Sequence, residues 1–441
     1  MADSTHVEDT EQPAIPIPEP VEPAAGPPPR PLRRNWNFQM LWIGSTGVTL
    51  GVEAVDVAYP LLVLAISGSP GLAGVFAFVQ AAANVLLGLP IGHLVDRLNH
   101  RAMLLVAEGL RAVATGSVAV ALATGGVTMV HLLVVAAVLG VGAAVGGPVR
   151  MLLLRSVVPE KQLTQALTQE EVREGTAALA GPALGGALYG VTRTLPFVFG
   201  AAAFVFSLLC ALVVRLPPRS PDADPAPEKN DGTEQGERGK ASGGMLAGVL
   251  ELWRQPALRG GLLLIGTFYM VATAATLIVV VSLTEDQHRS AGTVGLALTG
   301  GAIGMLAGAL LVKPLHRLMK PGRLLVCVSA TATLSVALLA LPYGPWWVFG
   351  VLLVAHLTVP ALRILIDIMI LRQVPEDRRG RTIVATMTVL SVGPPLGTLA
   401  SGVLMEFASV GWAVLALAVL QGAATLYGIR DREVAKADWP R

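Results

Sequence analysis

The sequence predicts an all-α integral membrane protein, with twelve transmembrane helices in two pseudo-symmetric six-helix bundles. Three observations carry that expectation. Of 441 residues, 53% are hydrophobic and only 14% charged, where a soluble domain carries about 25% charge; the mean hydropathy is +0.63. From about Phe38 to Gly428, apolar stretches follow one another, each near the roughly 20 residues that a hydrocarbon core of about 30 Å requires. Finally, Lys and Arg collect at every second junction between these stretches, as the positive-inside rule demands of a polytopic chain.

Residues 1–34 are rich in Pro, Glu and Ala and hold no apolar run. They cannot bury enough surface to offset chain entropy, and read as a disordered cytoplasmic tail rather than a signal peptide. The expected spans are 38–66, 71–94, 102–124, 127–149, 165–190, 195–215, 258–284, 292–313, 322–341, 346–371, 382–406 and 410–429. Junctions after the second, fourth, eighth and tenth hold Arg97 and Arg101, Arg155 and Lys161, Arg317 and Lys320, and Arg372, Arg378, Arg379 and Arg381. Those sides are expected to be cytoplasmic. The opposite junctions are short and nearly free of basic residues, with Arg193 and Arg289 the exceptions. An even number of spans then places both termini in the cytoplasm of a cell-membrane protein.

Residues 216–256 turn charged and rich in Pro and Gly, without periodicity, and read as a cytoplasmic linker between bundles at 35–215 and 257–430; residues 431–441 form a second cytoplasmic tail. The halves echo each other. Leu154-Arg155-Ser156-Val157-Val158-Pro159-Glu160 after the fourth span matches Leu371-Arg372-Gln373-Val374-Pro375-Glu376 after the tenth, and duplicated halves are a transporter signature.

Composition also excludes. The net charge of +2 lies in junctions that neutralise a membrane face, and no basic stripe suits nucleic acid. Cys210 and Cys327 stand in apolar stretches of different halves, where a small packing residue is the default. No glycine completes a phosphate-cradling loop around Gly239-Lys240, no His/Cys cluster suggests a metal, and no nucleophile sits beside a base. The expectation is a protein that is not an enzyme, holds no cofactor or metal, and works as a monomer on a small molecule and protons within the lipid bilayer.

The loop after the second span reads Gly92-His93-Leu94-Val95-Asp96-Arg97-Leu98-Asn99-His100-Arg101. Gly92 can end a helix, Asp96 can complement a helix N-terminus, and Arg97 and Arg101 can bridge to acidic groups or phospholipid; the alternative is a plain positive-inside loop. The loop resembles the G-x-L-x-D-R-x-x-x-R signature of the major facilitator superfamily, for which the resemblance implies a conformational switch. The equivalent loop after the eighth span is degenerate, with His316 where an acid is expected.

Span five carries Gly181-Pro182-Ala183-Leu184-Gly185-Gly186, which resembles the G-P-x-x-G-G motif of that superfamily's proton-coupled antiporters. Proline bends a helix and glycines admit a close neighbour. Gly300, Gly304 and Gly308 in span eight offer a surface to receive it, and Gly393-Pro394-Pro395-Leu396-Gly397 in span eleven repeats the theme. Either simple packing or a moving joint fits.

The overall layout, from Asn35-Trp36-Asn37-Phe38 through Pro60-Leu61-Leu62 to Glu108 and Arg111, is similar to the macrolide-efflux branch of drug:proton antiporters over roughly residues 35 to 430. That resemblance implies export of drugs, natural products or siderophores. In many members an acid follows the first glycine of the first span; here Gly51 precedes Val52, and the acids are Glu53 and Asp56.

Glu53 and Asp56 are displaced from the family's position, and it is physics that singles them out. They stand three apart on one helical face, where an ionised carboxylate costs on the order of 2.5–3.5 kcal/mol, so a carboxyl neutral in one conformation and ionised in another is the chemistry expected. The alternative is permanent bonding to Gln80, Asn84 or backbone, or a wet vestibule. Arg363 and Asp367, four apart, and Glu108 with Arg111 read first as structural bridges and second as gating groups. Gln80, Asn84, Tyr269, Thr273, Thr276 and His356 either line a cavity or satisfy neighbours, and His131 and His288 lie at the outer ends. Few aromatics and many small residues suit a roomy apolar cavity. Proton-driven export of an amphipathic compound is expected first; proton-coupled uptake of a nutrient and a transport-inactive membrane receptor or assembly protein are the alternatives.

Overall fold

The computed structural model describes residues 31–95, 98–214, 253, 256–318, 321–360 and 376–430, and among them there is no strand. After a 3-10 turn at Leu32–Arg34, twelve helices follow: α1 Trp36–Ser67, α2 Pro70–Val95, α3 His100–Thr124, α4 Met129–Val157, α5 Glu160–Val191, α6 Leu195–Val213, α7 Pro256–Val281, α8 Ala291–Leu318, α9 Pro321–Leu338, α10 Pro345–His356, α11 Glu376–Phe407 and α12 Val410–Arg430. A single π-helical turn, Ser282–Asp286, extends α7. The expected linker, both tails and the far end of span ten lie outside the described residues.

Local chemistry fixes the helix ends. Asn35 caps α1 by accepting from the Phe38 N–H at 3.2 Å, and its amide also donates to Val157 O at 2.7 Å, tying α1 to the end of α4. Gly68 and Gly125 close α1 and α3 in the left-handed region, at φ 63° and 73°. Asn99 accepts from the Arg101 and Ala102 N–H groups at the start of α3. The residue capping that helix is therefore Asn99, while Asp96 lies outside the described residues.

Within the first half, α1 packs on α5 and α6, α2 on α4, and α3 on α4 and α6. The second half repeats this: α7 packs on α11 and α12, α8 on α10, and α9 on α12. Between halves the contacts run chiefly along α2 with α11 and α5 with α8. Large apolar side chains such as Val113, Leu310 and Phe407 stand exposed, as lipid-facing positions do.

Four helices reach further than the apolar stretches expected, α4 to Val157, α5 back to Glu160, α8 to Leu318 and α11 back to Glu376. The added turns of α5 and α11 are rich in charged and polar residues, whereas that of α4 carries Leu152, Leu153 and Leu154 between Arg150 and Arg155. Glycine decides which helices touch. Gly300, Gly304 and Gly308 do not receive the span-five motif. Their faces lie against the backbones of Phe349, Leu353 and Leu357, so they seat α10 within the second half. The motif meets α8 one turn earlier: a Cβ on Gly186 would lie 2.9 Å from Gly295 Cα, and one on Gly295 would lie 3.0 Å from Gly186 Cα. The symmetric seam joins α2 to α11, where a Cβ on Gly74 would lie 3.0 Å from Gly402 Cα.

A methyl group at Gly185 would sit 2.8 Å from Ala54 Cα, whereas one at Gly147 meets nothing within 4 Å. Gly185→Ala is therefore expected to destabilise the purified protein by about 1–3 kcal/mol, the usual cost of overpacking. Gly147→Ala should leave the thermal unfolding midpoint unchanged.

Candidate functional site

Between the halves lies a cavity of about 580 Å³, walled by α1, α2, α4 and α5 from one half and α7, α8, α10 and α11 from the other. Symmetry thus delivers equivalent helices to both sides. Glu53, Asp56 and Tyr59 project from α1, Gln80 and Asn84 from α2, Thr273 and Thr276 from α7, and His356 from α10. The two acids singled out in the sequence therefore share one space with the polar residues proposed to line it. Tyr269 does not line it; its ring meets Phe268 edge-on at 5.9 Å.

Asp56 faces the cavity with its surface open to that space, and Gln80 Nε2 donates to its Oδ1 at 3.4 Å. Glu53 is half-buried because Gly181 packs against its Cβ, so the span-five motif and the acid are two sides of one contact. Tyr59 is buried and stacked on Phe76 at 4.6 Å, giving the floor an aromatic edge. His356 Nδ1 lies 2.9 Å from Leu352 O, an acceptor, which places the proton on Nδ1. No Lys or Arg is among the described lining residues.

The other described charges of the first half lie outside the lining, although Arg111 is near enough for its charge to act on Asp56. Glu108 is wholly buried in α3, and its carboxylate bonds chiefly to Arg150 of α4; Arg111 stands 3.9 Å off, at the far limit of an ion pair, with its guanidinium 4.3 Å above the Phe204 ring. The i,i+3 bridge expected between Glu108 and Arg111 is thus secondary. Separation of 42 residues hid the true partner, and only the arginine's place in an apolar span could have signalled it. Arg173 of α5, equally unforeseen, holds Glu170 at 3.0 Å and reaches Ser45 O and Thr49 Oγ1 on α1.

Among the described residues Arg101 has no acidic partner. Its guanidinium donates to Ala211 O, at 3.0 Å, and to Leu212 O, satisfying carbonyls at the end of α6. Gly92 is helical within α2; Asp96, Arg97, Arg363 and Asp367 lie outside the described residues.

One further group links the halves. At the end carrying the short turns, Glu406 of α11 accepts from Ser69 Oγ at 2.6 Å and from the Gly71 N–H at 3.1 Å. It caps the N-terminus of α2 across the bundle interface. The sequence signal was faint, since Glu406 stands beside a helix end where acids are ordinary.

A cavity walled by four symmetry-equivalent helices from each half is the architecture of a known transporter family, and residues 41–282 and 262–440 match the family model described as Major Facilitator Superfamily. The chain belongs to the major facilitator superfamily. As a member, it is a multi-pass membrane transporter. It is 26% identical over 402 residues to a protein named multidrug efflux pump Tap from Mycolicibacterium fortuitum, covering 87% of this chain and 93% of that one. A Tap of Mycobacterium tuberculosis is 26% identical over 379 residues, covering 82% and 85%. Among solved structures, a bacterial homologue of the human lysosomal transporter Spinster, inward-facing and unoccupied, superposes with a TM-score of 0.68 at 15% identity, over 94% of this chain and all of that one. A bacterial homologue of the iron transporter ferroportin, in its inward-facing state, gives 0.66 at 16% identity over 91% of this chain.

The Glu108 group permits a direct test of what buried charge does in this superfamily member. Glu108→Gln leaves Arg111 and Arg150 facing each other with no carboxylate among the described residues and is expected to cost about 3–5 kcal/mol. Arg150→Met leaves Glu108 with Arg111 as its remaining partner and should lower the thermal unfolding midpoint less.

Proposed function

We propose that this protein exports an amphipathic organic compound, such as a drug, natural product or siderophore, across the cell membrane in exchange for protons, by alternating access to the central cavity. The observation that carries the reading is the coexistence, in one largely apolar space, of two carboxylates with no lysine or arginine among the described lining residues. Such a wall favours a neutral or cationic amphipath over an anionic one. It also supplies groups that can hold a proton when the cavity is empty and release it when substrate arrives. The relatives named as multidrug efflux pumps support the outward direction.

Coupling needs a route from charge to shape. Glu53 lies directly against Gly181, and Gly186, five residues on, forms the seam with Gly295 of the other half. A change of charge or contact at Glu53 therefore acts on the helix that carries the interface. In the proposed orientation the basic junctions and both termini are cytoplasmic, which places the short-turn end outside. The Gly186–Gly295 and Gly74–Gly402 seams and the Glu406 cap then close the external side, and they are the contacts that must part for release.

Everted vesicles acidified inside should accumulate a fluorescent cationic amphipath, and vesicles made alkaline inside should not. Glu53→Gln combined with Asp56→Asn is expected to abolish this accumulation with the protein still in the membrane; undiminished pH-driven flux in that variant would remove the coupling role. Flux in the opposite direction under the same gradient would indicate uptake.

The seam is tested separately. A Cβ on Gly190 would lie 3.9 Å from Gly292 N, which brings the two backbones close enough for a cysteine pair to be tried as a cross-link across the seam. With Cys210 and Cys327 replaced by alanine, oxidation of Gly190→Cys with Gly292→Cys should stop transport, and a reductant should restore it.

A further inference from the structure

At the short-turn end, outside the central cavity, a groove of about 450 Å³ runs between the start of α8 and the turn joining α9 to α10. Its walls are aromatic: Tyr343, Trp346 and Phe349. These rings are braced, Trp346 lying edge-on to Phe349 at 5.9 Å and Tyr343 edge-on to Trp347 at 5.2 Å, while the Trp347 indole N–H donates to Leu338 O at 2.9 Å. Tyr343 and Trp346 nevertheless remain 69% and 71% exposed. Rings held rigid and uncovered at the end of membrane helices mark the headgroup level of a bilayer.

Arg289 stands at the same groove. Its backbone N–H is fixed to Leu283 O at 2.8 Å, its side chain is exposed, and no carboxylate among the described residues comes within ion-pair distance of it. Glu285 and Asp286 of the preceding π turn are also exposed, but neither lines the groove. Arg289 is one of two arginines in junctions otherwise nearly stripped of basic residues. A cation kept on that side, unpaired and facing an aromatic groove that continues along the exposed Leu296, lacks only a negative partner with an apolar tail.

We propose that this groove binds an anionic phospholipid, with Arg289 on the headgroup phosphate, Tyr343 and Trp346 at the glycerol level and an acyl chain along Leu296 and Phe349. The charge chooses the lipid: a zwitterionic headgroup brings its own cation, whereas an anionic one leaves a full negative charge for the arginine. The site lies apart from the central cavity and does not depend on how transport is coupled.

The experiment titrates the full-length protein in detergent with phosphatidylglycerol, following the thermal unfolding midpoint and, by native mass spectrometry, the bound lipid. The wild type should be stabilised, and Arg289→Gln should weaken the apparent affinity on the order of fivefold. Arg193→Gln, the other arginine of that side, should behave as wild type. Trp346→Ala should also lose lipid, which separates the groove from bare charge. An equal response in Arg289→Gln and the wild type would overturn the proposal, as would an equal, Arg289-dependent response to phosphatidylethanolamine, phosphatidylcholine or inorganic phosphate.

Discussion

Helices in a bilayer must satisfy their backbone polar groups internally, and lipid tails give them no hydrophobic reason to associate. What holds this bundle together, and sets where it can move, is the close approach of backbones at glycine. Carbonyl oxygens of α1, α2, α5, α7 and α10 lie where a Cβ would stand on the glycine of a facing helix. At such distances dispersion and weak Cα–H···O contacts replace side-chain interdigitation. The interaction is shallow and broad, and it is restored whenever the same surfaces meet again. Side chains interlocked across the interface would have to repack at every turn of a cycle.

That constraint sorts the charges. Within the first half, among α3, α4 and α6 and between α1 and α5, Glu108 with Arg150 and Glu170 with Arg173 are paired and hydrogen-bonded, because an unpaired buried ion costs several kcal/mol. In the cavity, where the two halves face each other without touching, Glu53 and Asp56 have only neutral partners within bonding distance, such as Gln80. A permanent counter-ion would hold them ionised and remove any reason for a proton to come and go. The absence of lysine and arginine among the described lining residues is thus as informative as the presence of the acids.

Much of this was legible in the sequence. Twelve helices follow from apolar length and charged junctions, since hydropathy reports directly on the solvent. The two cavity acids were legible because an intramembrane carboxylate is too costly to be incidental. Partners were not. The spacing of Gly300, Gly304 and Gly308 says that one face of α8 is thin, yet nothing in it says that α10 rather than α5 lies there. Glu108 has an arginine three residues on, and local spacing favoured that pair over Arg150, which only the packing of α3 on α4 brings close. Arg101 reads from sequence as a lipid or acid ligand, and the carbonyls at the end of α6 are a partner that local spacing did not suggest. In each case the residue's own chemistry was readable and its counterpart depended on topology.

The strength of the closed seam bears on how little is needed to open it. The Glu406 cap is exposed, and a hydrogen bond of this kind contributes about 0.5–1.5 kcal/mol net. The glycine faces add dispersion that an opened bundle partly regains from lipid. A ligand shifts such an equilibrium only by its differential affinity for the two states, and about 5.5 kcal/mol carries a two-state system from 1:99 to 99:1. Desolvating a carboxylate without a counter-ion, on the order of 2.5–3.5 kcal/mol, is a contribution of comparable size. In the proposed cycle, binding or loss of a proton at Glu53 or Asp56 would therefore supply a substantial share of what moves the interface, with substrate contacts supplying the rest. A seam built on interlocked side chains or a buried salt bridge would lie beyond the reach of a single proton; one built on glycine does not.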